Sequence, residues 1–576
     1  MRGGRSRRGV SVAVAAWSSA VAIAMGLLVV GPAATTSAAA ELESDVASEE
    51  QFRDALAACE ALTLSTQSCE IRITSSFTIT EAQGDPLYTG AAKLIIAGAS
   101  PDVTVTGGGD VRFLRLSGDM VVELRDLSLT GFRRTDGAGG AVVSGDGPIG
   151  MTLFRVAMTD NAADGRGGAV RLDGGALSLF QTVFARNGAL ADGAVVTEHG
   201  GAVWVSGSGI VAEGNSLFVD NRALGRGGAV YVDGPVVDFL SNTFARNSAA
   251  DGGALYAVDG SAYGVLGAVT FADNRASGKG GAVYMDGARM WWAQSTLVGN
   301  TAASGLGNAV FVTEDASRLR IGTTVFSRNG QDDACAIANG AELLTRGYIW
   351  TDDASCIGDP EAGAEERENF IVPGGDPRLG PLQDNGGELL PTWPQLTMMP
   401  AVDSPLRNAF TVPSAWTPGV ARDPRGVNFL SQGHTIGAVH APYPATTFVV
   451  LDDEGHEAAS FTALDVTEVS DVQWWPLTDV SPAPPPGIVG PVGVMGFTAE
   501  VLGPGAWATF TATLPQPVNQ VWKLVGGAWV QVTDAEISGT TVTFRVQDGG
   551  PLDADGQRDG TIVDPVLFAV GARFTG

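Results

Sequence analysis

Lysine is almost missing from this chain of 576 residues: Lys93, Lys279 and Lys523 are the whole supply. A site built on lysine chemistry has little to draw on. Histidine is scarce at four residues, and the four cysteines fall in two pairs, Cys59 with Cys69 and Cys335 with Cys356, with no histidines beside them. A zinc site needs such ligands clustered, so in an exported chain this spacing predicts two local disulfides. Positive charge is short as well. With 35 Lys+Arg against 63 Asp+Glu, the formal charge is −28. That balance excludes nucleic acid and anionic lipid as partners and leaves metal cations and neutral or basic surfaces. Beyond residue 40 no apolar run is long enough to span a membrane.

The one long apolar run stands at the start. Arg2, Arg5, Arg7 and Arg8 precede Val10 to Val30, and Ser37-Ala38-Ala39-Ala40 offers a small-residue cleavage site. Residues 1–40 therefore read as a secretory signal, by the general or the twin-arginine route. The mature chain is expected outside the cell or at its envelope.

What fills the chain is repetition. Gly-Gly-Ala-Val or a near copy begins at Gly139, Gly167, Gly200, Gly227, Gly252 and Gly280, and Gly307-Asn308-Ala309-Val310 closes the series. The steps are 28, 33, 27, 25, 28 and 27 residues. Between them runs Phe-x-x-Asn: Phe184 with Asn187, Phe218 with Asn221, Phe244 with Asn247 and Phe271 with Asn274. A fixed period of this size means one small unit stacked on its copies. Segments such as AVYVDG and VVDFLSNTF are too short for helices and rich in β-branched and aromatic residues, so each unit reads as one coil of short strands. The fold class expected is all-β, a right-handed parallel β-helix of the pectin-lyase-like type with a C-terminal β-sandwich-like module. The glycine pair is expected to take backbone angles closed to other residues at a tight corner. The phenylalanines should stack between coils, and each asparagine should adopt a left-handed turn while its amide bonds the next one.

Paired GGA[VIL] and FxxN motifs resemble the repeat of chlamydial polymorphic outer-membrane proteins, over about residues 130–330. That likeness implies a surface-exposed β-helix and an adhesin-like role. Ser48-Glu49-Glu50-Gln51 opens an amphipathic helix through Cys59 that would plug the first coil. Residues 375–444, with GDPRLGPLQDNGG, PAVDSP, DPRG and IGAVH, resemble the choice-of-anchor Q domain that closes bacterial β-helices. Residues 445–576 read as the β-sandwich-like module, and their ending DGGPLDADGQRDGTIVDP resembles the choice-of-anchor U domain. The domains are thus 1–40, 41–374, 375–444 and 445–576.

Two site readings follow. Asp553, Asp555, Asp559 and Asp564 occupy positions one, three, seven and twelve of a calcium-loop-like span, and calcium is the cofactor they would take; a solvated acidic hairpin is the other reading. The fold also hosts polysaccharide lyases and hydrolases, so catalysis is the alternative to a non-catalytic display scaffold that binds a cell-surface or matrix component such as a polysaccharide. The tempting fragments are Glu198-His199, Gln331-Asp332-Asp333 and Asp352-Asp353, each also readable as a solvated turn. His434, His440 and His456 have no nucleophile spacing around them, and no catalytic residue is assigned. The pattern breaks at residues 88–135, with Arg112, Arg115 and Arg125 expected on solvated strand faces, and in the long step between Gly167 and Gly200.

Overall fold

The computed structural model describes residues 41–571, apart from 191, 259–262, 304, 331, 361–368, 374, 388, 402–403, 408–422, 426–434, 440–444, 465, 487, 490–492 and 502–503. The leader, Gln331, His434, His440 and much of the segment from 375 to 444 lie outside the described residues. The chain is nearly all β, 4% helical, and its body is a parallel β-solenoid of about 11 turns.

Each strand lies in register on its copy one turn away. Val230–Asp233 pairs with Val203–Glu213 on one side and Leu255–Val258 on the other, both parallel. Thr243–Ala245 sits likewise between Leu217–Val219 and Thr270–Ala272. In-register stacking aligns like side chains, so one apolar core of Val, Leu, Ile and Phe runs the length of the solenoid. Phe184, Phe218, Phe244 and Phe271 stack inside it at centroid distances of 5.2, 4.5 and 4.9 Å. Leu297 breaks the aromatic series, and there Trp292 leans in against Phe271 at 6.3 Å.

The asparagines form a fully buried ladder. Asn187 Nδ2 donates to Asn221 Oδ1 at 2.9 Å and also to Met158 O, while the Asn187 backbone N–H reaches the same Oδ1 at 3.0 Å. The pattern repeats through Asn247, Asn274, Asn300 and Asn329. The left-handed residue, however, is the one before each asparagine: Asp160, Arg186, Asp220, Arg246 and Asp273 have φ of 57°, 56°, 57°, 54° and 55°. Turning the chain one residue early aims the asparagine inward, where its amide is needed, and leaves a charged side chain on the outside.

The glycine pair divides its labour too. Gly227 has φ +64°, whereas Gly228 does not enter the left-handed region; a Cβ on Gly228 would lie 2.0 Å from Gly253 O of the next turn. Conformation requires the first glycine and close backbone approach requires the second. In the first copy the register pairs Val143 with Val170, so Gly140 rather than Gly139 is the equivalent of Gly167.

The solenoid begins with an edge strand, Glu41–Val46, that sequence reading did not anticipate, and α1 (Glu49–Glu60) follows it. Ser48 Oγ accepts from Gln51 N, and Gln51 Oε1 in turn accepts from Ala47 N. Phe52 from α1 stacks on Phe113 at 5.4 Å, covering the open end of the core. The ribbon of Leu379–Asp384 and Leu396–Pro400 lies along the flank of the solenoid. Leu389 joins Ala157, Ala185, Val219 and Ala245 in one apolar cluster against which Leu382, Trp393 and Leu396 pack, and Thr243 Oγ1 donates to Leu396 O at 2.7 Å. Beyond it are two antiparallel sheets, of five and six strands, with phenylalanines such as Phe461, Phe497, Phe544 and Phe568 in contact between them.

Candidate functional site

The strand after each Gly-Gly has a regular outward face. Its first outward position holds Trp204, Tyr231, Tyr256, Tyr284 and Phe311 in register. Because neighbouring turns stand about 4.8 Å apart, rings at one register position meet face to face. Their centroids are 6.1, 5.4, 4.5 and 5.1 Å apart in that order. At three turns the residue before the glycine pair is a cation that reaches over this column: Arg166 lies 4.9 Å from the Trp204 ring centroid, Arg226 4.9 Å from Tyr256 and Lys279 4.7 Å from Phe311. Two residues further along the strand runs a second column, which includes Asp146, Asp173, Asp233 and Asp286. Asp286 Oδ2 accepts from Tyr256 OH at 2.9 Å; burial and then this carboxylate hold the phenol in its neutral form, raising its pKa. The result is a stripe of cation, ring and acid across several turns, in which Trp204, Tyr256, Tyr284 and Phe311 are buried by their neighbours and Tyr231 alone of the five rings is partly exposed. The motif carried its signal in the aromatic that follows each copy from Gly200 onward, which sequence reading took only as a strand marker.

His199 belongs to this stripe. Its Nδ1 accepts from Arg226 N at 3.1 Å and its ring stacks on Tyr231 at 5.8 Å. Burial lowers its pKa, as do Arg226 and Arg166, against an opposite pull from Glu198. A neutral imidazole that accepts a backbone N–H is thereby fixed as part of the corner.

A second feature lies at the asparagine corner, where the long step between Gly167 and Gly200 adds a loop closed by Leu190 N donating to Ala194 O at 2.8 Å. This loop walls an open pocket of about 630 Å³ lined by Arg133, Asp160, Arg186, Asp220 and Arg222. The acids are held: Arg186 grips Asp160 with two bonds of 2.7 Å, and Arg246 grips Asp220 at 3.0 and 3.1 Å. Arg133 and Arg222 are exposed and form no ion pair among the described residues. The pocket therefore offers two uncommitted guanidinium groups to an anionic group.

The arginines of the irregular coils divide. Arg112 is 2% exposed and not solvated: it pairs with Asp85 at 2.8 Å and Asp136 at 2.7 Å and donates to Gly140 O. Its place at the start of the repeats lets it hold the first glycine corner. Arg125 pairs with Glu70 at 2.6 Å, while Arg115 stands exposed. Asp352 Oδ2 accepts from Arg328 N and burial raises its pKa, and Asp353 accepts from Ser355, so these acids brace the end of the solenoid.

The two disulfides join Cys59 to Cys69 and Cys335 to Cys356. The acidic span near the C-terminus does not bring its four aspartates together. Asp553 accepts from Gly549 N and Val563 N, Asp555 from Gln557 N and Asp559 from Thr561 N. Asp564 faces Lys523 instead, at 2.7 Å. Among the described residues no three His, Cys, Asp or Glu converge on a cation position.

The profile of the Chlamydia polymorphic membrane protein repeat matches residues 268–286, one copy of the unit that begins with Ala268 and ends with Asp286. No curated protein matches the chain.

Proposed function

We propose that this protein is a secreted or cell-surface β-helix that serves as a non-catalytic display scaffold, binding a surface or matrix component through its long outward stripe. The observation that carries the reading is the unbroken asparagine ladder from Asn161 to Asn329, which commits the repeated residues to stacking and makes a rigid rod. Similarity of one repeat to a chlamydial surface protein and the presence of two disulfides fit an extracellular place. The C-terminal sheets, read as a β-sandwich-like module of the choice-of-anchor U type, would hold the rod at the envelope. Tyr231, the one ring of the column left partly exposed, and the carboxylates beside it suit a polysaccharide, whose sugar faces are apolar and whose hydroxyls donate to acids.

The pocket beside the 188–197 loop favours a second reading, a polysaccharide lyase or glycoside hydrolase that holds an anionic glycan through Arg133 and Arg222. One experiment separates them. The mature chain is incubated with uronic-acid and neutral polysaccharides, with and without calcium, and retention, unsaturated ends and reducing ends are measured. Retention without cleavage, weakened about tenfold or more by Tyr231→Ala, supports the scaffold. Cleavage that is lost in Arg222→Ala makes the enzyme primary. Neither retention nor cleavage would remove polysaccharide as the partner.

A further inference from the structure

Strand Gln520–Val525 lies antiparallel to Thr561–Gly571, with Lys523 opposite Val566. Along the first strand Val521 and Lys523 are buried at alternate positions, and along the second Ile562, Asp564 and Val566 are. Period-two geometry therefore points both charged side chains into the core, at diagonal positions that a lysine can bridge. Both residues are 0% exposed, and Lys523 Nζ stands 2.7 Å from Asp564 Oδ1.

The surroundings are dry. Phe497 pairs across from Asp564, and the Phe544 ring centroid lies 5.7 Å from Nζ. Among the described residues no other hydrogen-bond partner reaches Nζ, Oδ1 or Oδ2. A buried ion pair is tolerated when further hydrogen bonds satisfy its remaining atoms, and this pair has none. Burial depresses the Lys523 pKa and raises that of Asp564, favouring the amine and the carboxylic acid over ammonium and carboxylate. An uncharged amine is a nucleophile, and fixed proximity replaces the entropy of encounter.

We infer that Lys523 and Asp564 are the site of an intramolecular amide bond that forms between their side chains after the module folds. The Nζ lone pair attacks Asp564 Cγ and a C–N bond forms. One Nζ proton passes to the carboxyl hydroxyl, the C–O bond breaks, and one water leaves; no oxidant or reductant is needed. The product keeps one N–H and one C=O and removes both latent charges from the core. It would tie two neighbouring strands of the module covalently, which suits a chain that holds a rod at a surface, though the bond does not depend on what the rod binds.

The test uses the full exported chain, reduced so that its disulfides do not contribute. Its intact mass is expected to fall one water short of the sequence, and proteolysis is expected to yield a branched peptide joining the Lys523 and Asp564 segments. Amine acylation of the denatured chain should modify Lys93 and Lys279 but leave Lys523 untouched. A full mass, linear peptides only and an acylated Lys523 would overturn the inference. Asp564→Ala should restore the full mass, and a deficit that persisted there would overturn the assignment to this pair. The native chain alone decides the matter if that variant does not fold.

Discussion

Phe218 is sandwiched between Phe184 and Phe244 and touches Phe239 edge-on, so no neighbour is free to fill its space. Phe218→Ala is expected to lose about 3–5 kcal/mol, read as a lower denaturation midpoint; an unchanged curve would contradict the inward stack. This residue was legible from sequence because a motif that recurs with its phenylalanine and asparagine intact leaves one economical geometry. The left-handed position was not. FxxN fits a turn at the asparagine as well as one before it, and only the need of the inward amide for partners decides. Lys523 was hidden for a related reason: one lysine in a strand reads as solvated until the register puts it on the buried face.

At the scale of elements, the flank ribbon shows a signal that sequence reading passed over. The residue after each phenylalanine is small and apolar, Ala185, Val219, Ala245 and Ala272, although alternation would place it outward. It is outward, and buried, with Leu389 or Met398 packed over that column. The acidic loop near residue 553 makes a different demand. Burial, with Asp555 and Asp548 near, pushes the Asp553 pKa up to about 6, although two backbone N–H groups oppose it. Between the ordinary carboxyl range and about pH 6 the folded chain thus binds more protons at this site than the unfolded chain. Asp553 should therefore make stability fall as pH rises through that window and level off above it. Denaturation midpoints from pH 4 to 7, followed by tryptophan fluorescence, should show this slope, and Asp553→Asn should flatten it.

For the whole molecule, stability is a sum of similar interfaces, so the middle turns support one another while the ends need fastening. The disulfides are placed there: Cys59–Cys69 ties α1 to an early strand, and Cys335–Cys356 closes the late turns. Each loop is short, and losing either bond should cost about 3 kcal/mol. Reduction is therefore expected to speed amide exchange at residues 41–73 and 335–357 while turns from Val203 to Val298 stay protected. Uniform acceleration would mean that the solenoid melts as one unit.

The in-register ladder also sets a unit of length. Each turn adds about 4.8 Å of height whatever its sequence outside the core, so about 11 turns give a rod of roughly 50 Å. Gaining or losing one phrase between the fastened ends would change the reach by that single step and leave the termini chemically as they were. The length of the rod is thus a quantity that duplication can tune one notch at a time, independently of the side chains on its outer face.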